Sequence, residues 1–348
     1  MTPLPRTALA LALGASGGAI FFVLGLPLPW MLGALTATMA AALAGLPVRG
    51  PGRIRPATVA VIGVMLGSRF TPDLIDSAAG WIVSGALVAL MVALLTVIVV
   101  PFYSYFGRLD RQTALLAGLP GGLNEMVELG EERGAEVRAI ILAHSLRIVI
   151  TIVVIAIWFR LIEGHAVGAL PPAPTPLTIV DALLLAGCAV AGTLGGARIG
   201  LPAAAFLGPM ILSAVLHATE ITTSAPPGPL VVAAQVLLGT ILGCRFVGVG
   251  LAMLGRAALL SAASTVLSVG VALGFALALN ATSGVDIDQG LLAFAPGGVT
   301  EMGLIALAIE ADAAFVAVHH ILRILIVLVL ARPLLALVAR RAPKRPSD

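Results

Sequence analysis

Two stretches carry the groups best placed to do chemistry, and they are nearly the same stretch. Pro120-Gly121-Gly122-Leu123-Asn124-Glu125-Met126 returns as Pro296-Gly297-Gly298-Val299-Thr300-Glu301-Met302, each inside a long apolar run. A proline followed by paired glycines cannot continue a regular helix: proline removes a donor, and each glycine costs about 1 kcal/mol relative to alanine. The piece before the break then ends in unpaired carbonyls that suit a cation. The piece that restarts offers free N–H groups and a positive dipole end to an anion. Gly121, Gly122, Asn124 and Glu125, with Gly297, Gly298, Thr300 and Glu301, are therefore candidate substrate- or ion-binding residues. An ionisable group at membrane depth costs on the order of 3 kcal/mol and is rarely idle, so Glu125 and Glu301 are candidates for proton or cation coupling. The structural alternative is a plain kink with Asn124 or Thr300 as N-cap and the glutamates steadying a helix dipole by about 0.3–1 kcal/mol.

A second doubled constellation follows. His144 and Arg147, like His320 and Arg323, lie three residues apart in strongly apolar sequence and share a helix face. Glu136 and Arg147, or Asp312 and Arg323, are eleven residues apart, about 16 Å along a helix, so they cannot touch and each arginine needs a partner on another element. A glutamate of the neighbouring Pro-Gly-Gly helix or an anionic substrate is the expected partner, with a structural inter-helix ion pair as the alternative. His144 and His320 could titrate near neutral pH or simply hydrogen-bond. Glu128, Glu131 and Glu132 read as a solvated charge run. Arg69 and Arg245 end corresponding apolar segments, where a snorkelling role is expected.

The chain contains no nucleophile elbow, His-Glu-x-x-His, Walker loop or cysteine cluster, so no catalytic residues, metal site or cofactor are expected and the protein does not read as an enzyme. Cys188 and Cys244 lie in apolar runs and suit small core fillers.

The doubling extends through most of the chain. Pro120 and Pro296 are 176 residues apart, as are Arg147 and Arg323, Asp110 and Asp286, and Gly67-Ser68-Arg69-Phe70 and Gly243-Cys244-Arg245-Phe246; Gly25-Leu26-Pro27 and Gly200-Leu201-Pro202 are 175 apart. The organisation read from this is a first membrane repeat over 1–170, a proline-rich linker over 171–177, a second repeat over 178–340 and a basic cytoplasmic tail over 341–348. Hydrophobic residues make up 59% and charged residues 11% of the chain, against about a quarter charged in soluble domains, and mean hydropathy is +1.10. This predicts an all-α polytopic membrane protein of about 10–12 membrane segments, with discontinuous helices at the Pro-Gly-Gly breaks.

Arginine placement sets the expected orientation. Arg49, Arg53 and Arg55, Arg108 and Arg111, Arg245 and Arg256, and the end Arg340 to Arg345 should be cytoplasmic. The stretches 220–229 and 280–289 carry no Arg or Lys and should face the periplasm. Corresponding loops thus carry opposite charge preference, which points to an inverted repeat. Six segments per half then require one that does not cross: either Pro-Gly-Gly re-enters, or it crosses broken while the first two segments act as one unit.

The repeated Leu-Pro-Gly-Gly-x-Asn-Glu-Met at 119–126, the His-x-x-Arg pairs and Leu-Pro-x-Pro-Trp-Met-Leu-Gly at 26–33 resemble the bacterial AbrB-duplication membrane family across essentially the whole chain. Members carry names such as membrane protein AbrB, regulator of gene expression, or ammonia monooxygenase. This is unlike the soluble AbrB-type DNA-binding fold, a small β domain, and no nucleic-acid partner is expected. Pro-Gly-Gly followed by Asn and Met is also similar to the broken-helix motif of the bile-acid/sodium symporter branch of the cation/proton antiporter superfamily. That likeness implies inverted repeats with two crossed discontinuous helices. Those symporters carry Ser or Asn where this chain has Glu125 and Glu301, which favours protons over sodium. The expectation is a multi-pass protein of the bacterial inner membrane, a secondary transporter of a small, anionic solute. The alternatives are a membrane-bound regulator of gene expression acting through a partner on the basic tail, and, third, a membrane oxygenase. The partners expected are the lipid bilayer, a small solute or ion, and further copies of the chain in a homo-oligomer.

Overall fold

The computed structural model describes residues 3–26, 28–72, 80–161 and 177–340. The tail 341–348 and all but Leu177 of the linker 171–177 fall outside those residues. Every regular element described is helical. In the first half these are α1 (Pro3–Val23), α2 (Pro29–Leu43), α3 (Arg55–Gly67), α4 (Trp81–Tyr105), α5 (Arg111–Gly118), α6 (Leu123–Arg133) and α7 (Val137–Leu161). In the second they are α8 (Ile179–Arg198), α9 (Ala204–Ala218), α10 (Gly228–Gly243), α11 (Leu251–Ser283), α12 (Ile287–Phe294), α13 (Val299–Ala308) and α14 (Ala313–Arg340). Seven of the helices, α1, α4, α7, α8, α10, α11 and α14, are long and apolar enough to cross a membrane, and α2, α9 and α13 are shorter apolar helices. The chain is a multi-pass helical membrane protein.

Element order repeats in the two halves, and so do local details. Gly25 and Gly200 both adopt left-handed backbone, φ 61° and 70°, as do the N-cap residues Leu28 and Ala203 at 44° and 47°. A leucine or alanine there is strained, so the same tight entry into α2 and α9 is held in each copy by its surroundings. Asp110 caps α5, accepting from the N–H groups of Gln112 and Thr113 at 3.0 and 3.1 Å.

The chain divides into two compact units, each assembled from both halves. The first comprises residues 1–81, 155–251 and 300–317. Its helices approach closely enough to exclude a Cβ, and the close approaches are duplicated. Gly17 meets the Gly33 backbone as Gly192 meets Gly208, while Gly63 and Gly67 lie on the carbonyls of Phe206 and Met210 as Gly239 and Gly243 lie on those of Met31 and Leu35. Thus α3 packs on α9 and α10 on α2. Small residues are the usual means of helix association where lipid removes the hydrophobic driving force.

The second unit comprises residues 82–154, 252–299 and 318–348. It also interleaves the halves: Ser84 of α4 meets His319 of α14 at 2.7 Å, and the buried Tyr103 hydroxyl meets Ser264 of α11 at 3.1 Å. Both Pro-Gly-Gly breaks lie in this unit.

Candidate functional site: two broken helices and their arginine caps

The helix breaks where the sequence requires it. α5 ends at Gly118, Gly122 is the extended N-cap of α6 (φ −72°, ψ 136°), and in the second copy α12 ends at Phe294 and α13 starts at Val299. A helix end leaves four carbonyls without an intrahelical partner, and in a low-dielectric interior they must be paired.

His144 and Arg147 pair them. His144 Nε2 lies 2.8 Å from the Leu116 carbonyl, and Arg147 Nη1 donates to Ala117 and Gly118 at 3.5 and 3.4 Å, Nη2 to Leu119 at 3.1 Å. Arg147 Nη2 also lies 2.7 Å from His144 Nδ1. Arginine only donates, so His144 Nδ1 accepts, and the tautomer with its proton on Nε2 satisfies both contacts. The second copy repeats the arrangement. His320 Nε2 meets the Leu292 carbonyl at 2.8 Å, while Arg323 reaches the carbonyls of Ala295 and, at 2.7 Å, Gly297. All four side chains are buried.

The expected glutamate partner for the arginines is therefore replaced by main chain. The physical reason is the clustering of orphan carbonyls at a half-helix end, a concentrated partial negative charge that cannot be hydrated there. The cation suited to those carbonyls is built into the protein. Neither guanidinium has a carboxylate partner among the described residues, and Nε of each, together with Nδ1 of His320, has no hydrogen-bond partner. Arg147 and Arg323 lie within electrostatic range of one another, and a Cβ on Gly121 would come within 2.7 Å of Val327 on α14. The two breaks thus share one unit and one neighbourhood.

The carboxylates sit at the opposite, N-terminal ends. Glu125, half-buried in the first turn of α6, folds back so closely over Gly122 that a Cβ there would collide with its carboxylate oxygen. Asn124 is exposed, and Glu128, Glu131 and Glu132 face outward as expected of a solvated run. Gly298 and Thr300 are half-buried. Glu301 opens α13 in the first unit, where the Thr300 hydroxyl donates to it at 2.6 Å and Arg245 lies within electrostatic range.

Arg245 and Tyr103 are the neighbours that sequence reasoning missed. Arg245 recurs with Arg69, a signal that its place mattered, but nothing in sequence links it to Glu301. Tyr103, within electrostatic range of Arg147, is one of only two tyrosines.

A cavity of about 650 Å³ in the first unit lies beyond α13, with Arg69, His217, Glu220, Glu310 and Asp312 in its walls. Asp312 caps α14 through the N–H groups of Ala314 and Phe315 at 2.9 and 3.0 Å. Burial nevertheless pushes its carboxyl above the usual range, the two N–H donors opposing the effect. Burial likewise lowers the Arg69 guanidinium from its ordinary value. No group of three or more His, Cys, Asp or Glu suited to a metal ion occurs among the described residues.

A family profile described as "Transition state regulatory protein AbrB" matches residues 30–339. The chain is 25% identical over 332 residues to the Escherichia coli (strain K12) protein named "Putative regulator AbrB", covering 93% of this chain and 94% of that one. It is 23% identical over 361 residues to the Bacillus subtilis (strain 168) "Uncharacterized protein YhjN", covering 93% of this chain and 90% of the relative.

Proposed function

The chain belongs to the AbrB family, and we propose that it works in the bacterial inner membrane as a proton-coupled secondary transporter of a small anionic solute held at the two Pro-Gly-Gly breaks. One observation carries this reading. Among the described residues, Nε of Arg147, Nε of Arg323 and Nδ1 of His320, all on the side chains that cap the breaks, are buried without a hydrogen-bond partner. Buried polar groups are nearly always paired, so unspent donors and acceptors at the breaks support a polar ligand there. The two guanidinium groups, with no carboxylate counter-charge, favour an anion.

The residues divide the work. His144, Arg147, His320 and Arg323 neutralise the carbonyl ends of α5 and α12, while the Nε groups turn unspent donor capacity to the solute. Gly121, Gly122, Gly297 and Gly298 let the backbone approach closely, and Asn124 and Thr300 begin the restarted helices. Glu125 and Glu301 occupy the dipole ends that would otherwise attract the solute. Protonation of either glutamate removes that competitor, which couples solute binding to proton binding. No cofactor or covalent chemistry enters this scheme, and the protein acts as a carrier rather than an enzyme.

A screen of small carboxylates and phosphate esters for thermal stabilisation of the purified protein, across pH 5 to 8, tests it. A solute at 100 times its dissociation constant should add about 2.7 kcal/mol. The stabilisation should grow toward acid pH, and that growth should vanish in Glu125→Gln with Glu301→Gln.

The name of the Escherichia coli relative supports a second reading, a membrane-bound regulator acting through a cytoplasmic partner on Arg340 to Arg345. Deleting the tail would abolish any regulatory phenotype under that reading and leave solute binding intact under the first.

A further inference from the structure

A cavity of about 500 Å³ in the second unit has Tyr103 and Ala143 in its walls but none of the capping side chains His144, Arg147, His320 and Arg323. Its walls come from the ends of three helices long and apolar enough to cross a membrane: the close of α4 with the turn after it, the start of α7 and the start of α11. A pocket at the ends of spanning helices sits at headgroup depth. Arg108 and Arg256 both face it and both are exposed, and Glu136 shares the wall. Neither guanidinium is paired with a carboxylate among the described residues, Glu136 included, which leaves the pocket with an excess of positive charge. Arg108 is held in left-handed backbone, φ 54°, a conformation sparsely populated by arginine.

The rest of the lining is apolar. Leu109, Leu142 and Leu260 form the interior walls, and Phe106 and Met253, 63% and 49% exposed, carry that apolar surface outward. Tyr105, beside Phe106, is 79% exposed, as an aromatic residue at a membrane interface would be. A soluble anion such as phosphate would use the two arginines and leave the apolar walls wet. An anionic phospholipid uses both, its phosphate between planar guanidinium forks and its upper acyl chain along the leucines.

We infer that this pocket binds the headgroup of an anionic phospholipid, with Arg108 and Arg256 holding its phosphate. The test is the melting temperature of the purified full chain in a neutral detergent, with phosphatidylglycerol, phosphatidylcholine or inorganic phosphate added. Phosphatidylglycerol should raise it by several degrees, phosphatidylcholine and phosphate by less than one, and Arg108→Gln with Arg256→Gln should abolish the rise. Leu260→Trp, which fills the apolar wall and keeps both arginines, should also blunt the rise, and it serves if the arginine pair proves hard to fold. Equal stabilisation by phosphate would overturn the inference in favour of a soluble-anion site. Equal stabilisation by phosphatidylcholine, or a rise that survives both substitutions, would overturn it outright.

Discussion

Arg147 and Arg323 occupy corresponding places in the two halves and cap corresponding half-helices, yet they do so with different reach. Arg147 spreads over the carbonyls of Ala117, Gly118 and Leu119 and is tied to His144 Nδ1. Arg323 extends further along its break, to Ala295 and Gly297, and leaves His320 Nδ1 without a partner. The helices that restart differ as well. α6 carries exposed Glu128, Glu131 and Glu132, whereas α13 is buried from Met302 to Leu307. Duplication fixed the cap and left its tightness free to diverge. The first copy is the more tethered, with a water-facing helix beyond its break. The second keeps more unused hydrogen-bonding capacity inside the protein.

The largest test of that contrast removes the caps. Arg147→Ala strips several buried carbonyls and a histidine of their donor and should cost on the order of 3 kcal/mol or more. Arg323→Ala should cost less, and the order of the two melting temperatures decides whether the first cap is the stronger. Next come the histidines. His144→Ala loses both the Leu116 contact and the bond that positions Arg147, about 2 kcal/mol, whereas His320→Ala loses only its Leu292 contact, about 1 kcal/mol. Equal losses would mean that the His144–Arg147 bond contributes nothing to the asymmetry.

The carboxylates should barely register in stability. Glu125→Gln changes a dipole interaction worth less than about 1 kcal/mol, whereas Glu301→Gln also weakens its attraction to Arg245, so unfolding by denaturant should be nearly unaltered in the first and slightly eased in the second while the pH dependence of solute binding is lost in the pair. A smaller effect belongs to Asp312 in the second half. The Asp312 carboxyl is held above its ordinary value by burial, so the folded protein disfavours its charged form. Stability from this group is highest below the usual carboxylate range, falls as pH rises toward the elevated value and is flat beyond it. Asp312→Asn keeps a capping acceptor and removes the charge, so its melting temperature should fall less than that of wild type between pH 4 and 7.

Much of the fold was legible in the sequence because the repeat reports it twice. Each Pro-Gly-Gly break and the first-turn positions of Glu125 and Glu301 fall where spacing placed them. What the sequence could not reveal is where backbone groups go. The partners of Arg147 and Arg323 are carbonyls, which every residue carries, so no side chain advertises them, and a glutamate was the natural guess. The interleaving of halves within each unit was hidden for a related reason. Gly63 and Gly239 read as ordinary helix glycines until Phe206 and Met31 are seen resting on them. Arg245 beside Glu301 depends on the same long-range packing. The basic tail and, Leu177 apart, the linker lie outside the described residues.

The most direct measurement is proton movement into proteoliposomes loaded with a pH-sensitive dye, driven by an inward gradient of the anion identified by thermal stabilisation. Wild-type protein should acidify the lumen, and the acidification should collapse in Glu125→Gln with Glu301→Gln, although the variant folds and still binds the anion. Anion-driven acidification of undiminished rate in that double variant would contradict proton coupling through the two glutamates.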